Sequence, residues 1–289
     1  MQVLHKPSDV QGTVLKWRPS DTIAFVPTMG CLHEGHLKLI DEAKRRSKKC
    51  VVSIFVNPLQ FGPNEDFEKY PRPFEQDQLK CEARGVDLLF HPQVSDLYPE
   101  GFASRVSVGG SLGKHLCAKS RPGHFEGVTT VVLKLLQITQ PSLAVFGQKD
   151  FQQLRIIEKM VSDLNLPVQI AAHPIVREAD GLALSSRNRY LSFDQRDQAA
   201  LIPRALRHVR DWARNNPKGK VSEALAQGAA TLATGLLMIE YLEIASETDL
   251  IPMNSDKTLA EITLPRLFVA VRAGTTRLID NLALHEGVR

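Results

Sequence analysis

Residues 23–36 read Ile23-Ala24-Phe25-Val26-Pro27-Thr28-Met29-Gly30-Cys31-Leu32-His33-Glu34-Gly35-His36. The first four are apolar without alternation, the pattern of a buried strand. A helical pattern follows, with Leu37, Leu39, Ile40 and Ala43 on one side and Lys38, Asp41, Glu42, Arg45 and Arg46 on the other. Val51-Val52-Ser53-Ile54-Phe55-Val56 then reads as a second strand, about 28 residues after the start of the first, which makes a βαβ unit of ordinary size. The loop between strand and helix carries two glycines and two histidines. It sits where open α/β sheets hold their ligands, outside the carboxyl ends of the strands.

The same rhythm continues outward. Residues 75–84 read as helix, 86–90 as strand, 127–139 as helix, 143–146 as strand, 152–164 as helix and 168–170 as strand. This alternation predicts a Rossmann-like, doubly wound parallel sheet. The pattern changes near Pro174. Residues 194–214 read as one helix with Ser192 as its N-cap and a kink or break at Pro203. A polar loop over 215–220 precedes a helix over 221–235, and strands are expected at 239–244, 267–271 and 276–280. The chain is therefore expected to divide into a sheet domain over 1–175 and a smaller C-terminal α+β domain over 176–289.

The 289 residues are 43% hydrophobic and 24% charged, with a formal net charge of +4. That is enough apolar material for a core without disulfide stapling. The small positive balance argues against a dedicated nucleic-acid binder. No run approaches the ~20 apolar residues of a membrane span, and the first residues lack the apolar stretch of a signal peptide. Cys31, Cys50, Cys81 and Cys117 are scattered, without a Cys-x-x-Cys pair, as expected of reduced thiols in a cytosolic protein.

Three motif lookalikes fail at the first loop. Gly30 and Gly35 have P-loop spacing, but His36 and Leu37 stand where Lys and Ser/Thr belong. The dinucleotide glycine fingerprint is absent, and His33-Glu34-Gly35-His36 is one residue short of a zinc-binding His-Glu-x-x-His helix. His-x-Gly-His at a helix start remains. Two imidazoles and the helix N–H groups suit nucleotidyl transfer, in which donors surround phosphate oxygens that gain charge. The plainer alternative is that one histidine caps the helix and the other fills space. Asn57 and Gln60, after the second strand, are amides able to bond a substrate carboxylate or hydroxyl. Gly147-Gln148-Lys149-Asp150 follows a later strand and offers a point charge for phosphate, with Gln153 one turn on. Ser185-Ser186-Arg187-Asn188, near the domain boundary, has the chemistry of an anion clamp. Taken alone, the Asn57–Gln60 segment is more often a plain turn, Gly147–Asp150 is as often an ordinary surface turn, and Ser185–Asn188 is usually a solvated loop.

Together these segments resemble the pantothenate synthetase (pantoate–β-alanine ligase) family, within the His-x-Gly-His nucleotidyltransferases. The resemblance rests on residues 27–36, on 56–61 with Tyr70-Pro71-Arg72, on 121–128, on 146–153, on 176–188 and on 277–281. It implies that pantoate is adenylated by ATP and that β-alanine then displaces AMP. It implies His36 as the catalytic histidine, supported by His33 and Lys149. Met29, Gly30, Cys31, Leu32, His33, Glu34, Gly35 and His36 would line ATP, together with Gly147, Gln148, Lys149, Asp150, Val176, Leu184, Ser185, Ser186 and Arg187. Lys149, Ser185, Ser186 and Arg187 would meet phosphates. Gln60 and Gln153 would hold pantoate, with Asn57 beside them and Gln60 also near β-alanine. Mg²⁺ would travel with ATP, with Asp77 as an indirect partner. A cytoplasmic homodimer is expected, without nucleic acid or membrane, with ATP bound where the two domains face each other and residues 61–73 as the closing loop.

Two residues depart from the family pattern. Gln148 stands where the family usually has Glu, and Leu184 where it usually has Met. The second conserves volume. The first removes a charge beside the triphosphate. A nucleotidyltransferase with another acid acceptor and a non-catalytic nucleotide-binding protein are the alternatives.

Overall fold

The computed structural model describes residues 1–63 and 65–285. Asn64, inside the 61–73 loop, and residues 286–289, the end of the expected second domain, lie outside the described residues. The elements in chain order are β1 (Gln2–Leu4), α1 (Pro7–Trp17), β2 (Ile23–Thr28), α2 (Glu34–Arg46), β3 (Lys49–Ile54), α3 (Phe74–Ala83), β4 (Leu88–Phe90), α4 (Val94–Leu97), α5 (Cys117–Ser120) and α6 (His124–Thr139). There follow β5 (Leu143–Gly147), α7 (Phe151–Asp163), β6 (Gln169–His173), α8 (Phe193–Ala199), α9 (Leu201–Asn215), α10 (Val221–Leu232), β7 (Met238–Ser246), β8 (Pro265–Ala273) and β9 (Thr276–Ala283).

The chain divides into two compact units. The first comprises Met1–Gly109, Ser120–Gln148 and Gln153–Pro174, and the second Gly110–Lys119, Lys149–Gln152 and Ile175–Arg289. Residues 110–119 and 149–152, which a single boundary near residue 175 leaves in the first half, thus pack with the second unit.

In the first unit a parallel sheet runs β1-β4-β3-β2-β5-β6. Both faces are covered, which is why its strands read as unbroken apolar runs. Phe25, Val51, Leu88 and Phe90 pack on one side against α6 residues Val128, Val131 and Leu135. Ala24, Val26, Val52 and Leu89 pack on the other against α2 residues Leu39, Ile40 and Ala43. Strand order reverses between β2 and β5, the kind of switch point outside whose carboxyl ends open α/β sheets hold their ligands. β1 has no counterpart in the sequence reading. It is a three-residue edge strand, too short to carry a periodic signal.

In the second unit an antiparallel sheet β7-β8-β9 packs against α9 and α10 around Leu206, Val209, Leu232, Leu267 and Val269. The helix expected over 194–214 is two helices. Ser192 caps the first by accepting from the Gln195 amide. The break falls at Ala200, one turn before Pro203, because that proline has no N–H for the carbonyl of Ala199 and its ring crowds it. All four cysteines are buried thiols, and burial pushes Cys50 and Cys81 up to about 12.

Candidate active site

The first loop is held by its own hydrogen bonds. Gly30 takes φ +80°, and a Cβ there would lie 2.9 Å from Ile54 Cγ2 and 3.1 Å from Asp77 Oδ2, so only glycine fits. The Gly30 amide donates to Thr28 Oγ1 (3.1 Å), whose hydroxyl donates to the Ser53 carbonyl (2.7 Å). Asp77, 1% exposed, accepts from the amides of Cys31 (2.6 Å) and Leu32 (2.8 Å), and Lys80 Nζ donates to the Leu32 carbonyl (2.7 Å). Both Asp77 oxygens are thus engaged by the loop. Asp77 thereby holds this loop in place.

The loop delivers His33 and His36 to the start of α2. His33 Nδ1 accepts from the Gly35 amide (3.1 Å), and His36 Nδ1 faces the His33 amide (3.4 Å). A backbone amide only donates, so both Nδ1 atoms act as acceptors and the neutral rings carry their protons on Nε2. The rings lie 4.0 Å apart, tilted by 30°. One histidine does cap the helix, and it does so through Nδ1. Glu34, beside them, faces Lys38 (3.6 Å) and Arg84 (3.5 Å).

After β3, Asn57-Pro58-Leu59-Gln60 forms a tight turn seated on Gly127 of α6, where a Cβ would lie 2.2 Å from the Leu59 carbonyl oxygen. Gln60 Nε2 lies 3.1 Å from Met29 Sδ, so the first two loops meet. Asn57 is buried, and its amide is fully engaged within the protein. Beside Met29 and Gly30 lies a cavity of about 140 Å³ that Phe67 and Arg72 help to line. Residues 121–128 tie down the loop above it. The Arg121 fork pairs with Glu65 (2.5 and 2.6 Å), and His124 Nδ1 donates to the Gln60 carbonyl (2.8 Å). Burial would raise the Glu65 carboxyl, but Arg121 outweighs it and holds it below the usual range. At the end of β5, Gly147 has open space where a Cβ would stand, and Gln153 is half-buried in the first turn of α7.

Other predicted residues lie in the second unit. The Lys149 carbonyl accepts from Asn281 Nδ2 (2.9 Å), and Arg266 holds Asn281 Oδ1 (2.6 Å). The neighbouring Asp280 is buried, which raises its carboxyl, and is clasped by Arg177 (2.6 and 3.0 Å). Leu184 donates its amide to the Val176 carbonyl (3.0 Å), so those two candidates are neighbours. Ser185 caps a short 3₁₀ turn by accepting from the Arg187 amide (3.3 Å), with Ser186 buried inside it. Asp150 stands 3.9 Å from Lys149 Nζ. Gln148 ends the Ser120–Gln148 segment of the first unit. The structural parts played by Gly127 and Asn281 are absent from the sequence reading, although both stand in segments it singled out.

A doubly wound sheet whose β2 loop presents His-x-Gly-His at a helix start defines an α/β protein of the nucleotidyl-transfer class. The profile of the pantoate–β-alanine ligase family matches residues 2–283, and the chain belongs to that family. It is 48% identical to a pantothenate synthetase of Desulfitobacterium hafniense, with 100% of each chain covered. It resembles a crystal structure of pantothenate synthetase from Thermus thermophilus with a TM-score of 0.91 at 45% identity, covering 98% of this chain and 99% of that one. A pantoate–β-alanine ligase from Francisella tularensis, complexed with beta-gamma ATP and β-alanine, matches with a TM-score of 0.82 at 34% identity and 99% coverage of both chains.

Proposed function

We propose that the chain performs the reaction of its family through the residues assembled above. That reaction is the ATP-dependent condensation of pantoate with β-alanine to pantothenate, releasing AMP and pyrophosphate. A carboxylate is a poor electrophile. The pantoate carboxylate therefore attacks the α-phosphate, pyrophosphate leaves, and a pantoyl adenylate forms. The amine of β-alanine then attacks the acyl carbon, and AMP leaves with the bonding electron pair.

The observation that carries this reading is the histidine pair with both Nδ1 atoms held by the start of α2. Their Nε2–H groups and the helix N-terminus are donors for phosphate oxygens that gain charge in the transition state. Lys149 and Arg187 add positive charge, and Ser185 and Ser186 add hydroxyl donors. Met29–His36, Gly147–Asp150, Val176 and Leu184–Arg187 are assigned to ATP. Gln60 and Gln153 are assigned to pantoate, with Asn57 as a support. Mg²⁺ is assigned to the ATP phosphates, because it favours phosphate oxygens and water over an all-protein cage. There it would neutralise charge on the leaving pyrophosphate. A cytoplasmic homodimer acting on small molecules completes the proposal, and no helix among the described residues is long and apolar enough to cross a membrane.

The test is to incubate the protein with MgATP, pantoate and β-alanine, follow AMP, and omit each substrate in turn. AMP should appear only with all three, and pyrophosphate exchange should need pantoate but not β-alanine. AMP release independent of β-alanine contradicts the proposal.

A further inference from the structure

Asn57 stands at the carboxyl edge of the first unit's sheet, yet it is 1% exposed and its hydrogen-bonding capacity is full. Oδ1 accepts from the Leu59 amide (3.3 Å) and the Tyr98 hydroxyl (2.8 Å). Nδ2 donates to the Gly127 carbonyl (3.1 Å) and to Gln60 Oε1 (3.1 Å). Two of these partners are backbone groups whose roles cannot be exchanged: an amide only donates and a carbonyl only accepts. They fix which end of Asn57 is oxygen and which is nitrogen. The rest follows. Tyr98 must donate, and Gln60 must turn its oxygen toward Asn57. Gln60 then presents its NH₂ end, on the side of Met29 Sδ.

We propose that Tyr98 is a positioning residue for pantoate use, acting through Asn57 to hold Gln60 with its NH₂ end toward a substrate oxygen. The inference rests on the assignment of Gln60 to pantoate. A carboxylate oxygen only accepts, so an amide turned the other way would set oxygen against oxygen. Tyr98 is suited to the task. It follows α4, and its ring packs against Phe55 (6.0 Å between centroids) and Phe102 (5.0 Å). Burial pushes its hydroxyl well above the usual range, so it remains an O–H donor at neutral pH. Without that donor, Asn57 Oδ1 keeps only the longer bond to Leu59, and the anchor on Gln60 loosens.

Tyr98→Phe keeps the ring and deletes one hydroxyl. AMP release is measured for the wild type, Tyr98→Phe, Gln60→Ala and the double variant, with pantoate and ATP varied separately. Thermal midpoints of all four proteins show that each is folded. In Tyr98→Phe, kcat/KM for pantoate should fall roughly three- to thirtyfold, the size of one buried hydrogen bond, while KM for ATP stays within about twofold. In the Gln60→Ala background the same change should have no further effect, since residues that act through one another are not additive. The inference is overturned if pantoate kcat/KM is unchanged, if KM for ATP moves as much, or if the full loss persists on top of Gln60→Ala. A wild-type protein that releases no AMP overturns the ligase reading and this inference together. Normal wild-type activity with an unaffected Tyr98→Phe overturns the inference alone.

Discussion

His33 and His36 each serve twice. Nδ1 stabilises the start of α2 by engaging a backbone amide, and Nε2–H is the group assigned to the phosphates. The two duties can be separated, because asparagine is also a good N-cap but has no imidazole. His33→Asn should keep its thermal midpoint near that of the wild type. His33→Ala should melt about 2–4 °C lower, as for a lost cap. Both should lose kcat, and His36→Ala should lose roughly two to four orders of magnitude. A normal kcat in His33→Asn would confine that residue to capping. The pair itself is legible in the sequence, since two glycines and two histidines at the mouth of a buried strand leave few other readings. The ring's double use is not, because it depends on which nitrogen the helix engages. Nor is the role of Asp77, whose carboxylate reaches amides 45 and 46 residues away in the chain.

At the scale of elements, the seat of the Pro58–Gln60 turn on α6 decides where a candidate substrate residue stands. Glycine inside a helix ordinarily costs about 1 kcal/mol relative to alanine, so Gly→Ala there is expected to stabilise. Position 127 should reverse that sign. A Cβ would meet the Leu59 carbonyl carbon at 2.4 Å and the Gln60 amide at 2.7 Å, all backbone that cannot swing aside. Gly127→Ala should therefore lower the thermal midpoint and raise KM for pantoate, with far less effect on KM for ATP. A higher midpoint with unchanged kinetics would show that the turn does not depend on this seat. Most elements are readable from pattern alone: β2 and β3 because burial on both faces makes them continuous apolar runs, and α2 because its apolar stripe is clean. Where the reading falls short, the cause is local. β1 has only three residues, and the 194–214 helix divides a turn ahead of Pro203 because the proline acts on the carbonyl of Ala199. Gly127 sits in a helical pattern as an unremarked small residue, since its reason lies in a turn far away in sequence.

For the molecule as a whole, the net charge of +4 decides less than the placement of single charges. Asp280 is buried, which raises its carboxyl, but both of its oxygens accept from Arg177. Glu243 in β7 is different. Its Oε2 is buried with no hydrogen-bond partner among the described residues. Burial raises its carboxyl above the usual value, and Lys119 and His115 pull it down without outweighing that cost. An acid whose folded value lies above its unfolded one holds its proton more tightly when folded, so its ionisation weakens the fold as pH rises through that window. The cost is absent below the unfolded value of 4.5 and fully present above the folded one. Glu243→Gln keeps the shape and removes the charge. The variant should melt about 1–3 °C above the wild type at pH 8. The gap should close as pH falls toward the ordinary carboxylate range. Melting curves of both proteins at matched ionic strength between pH 4.5 and 8 test this. A gap that ignores pH would assign the effect to packing, and a variant that melts lower at pH 8 would show that Lys119 and His115 make the charge favourable.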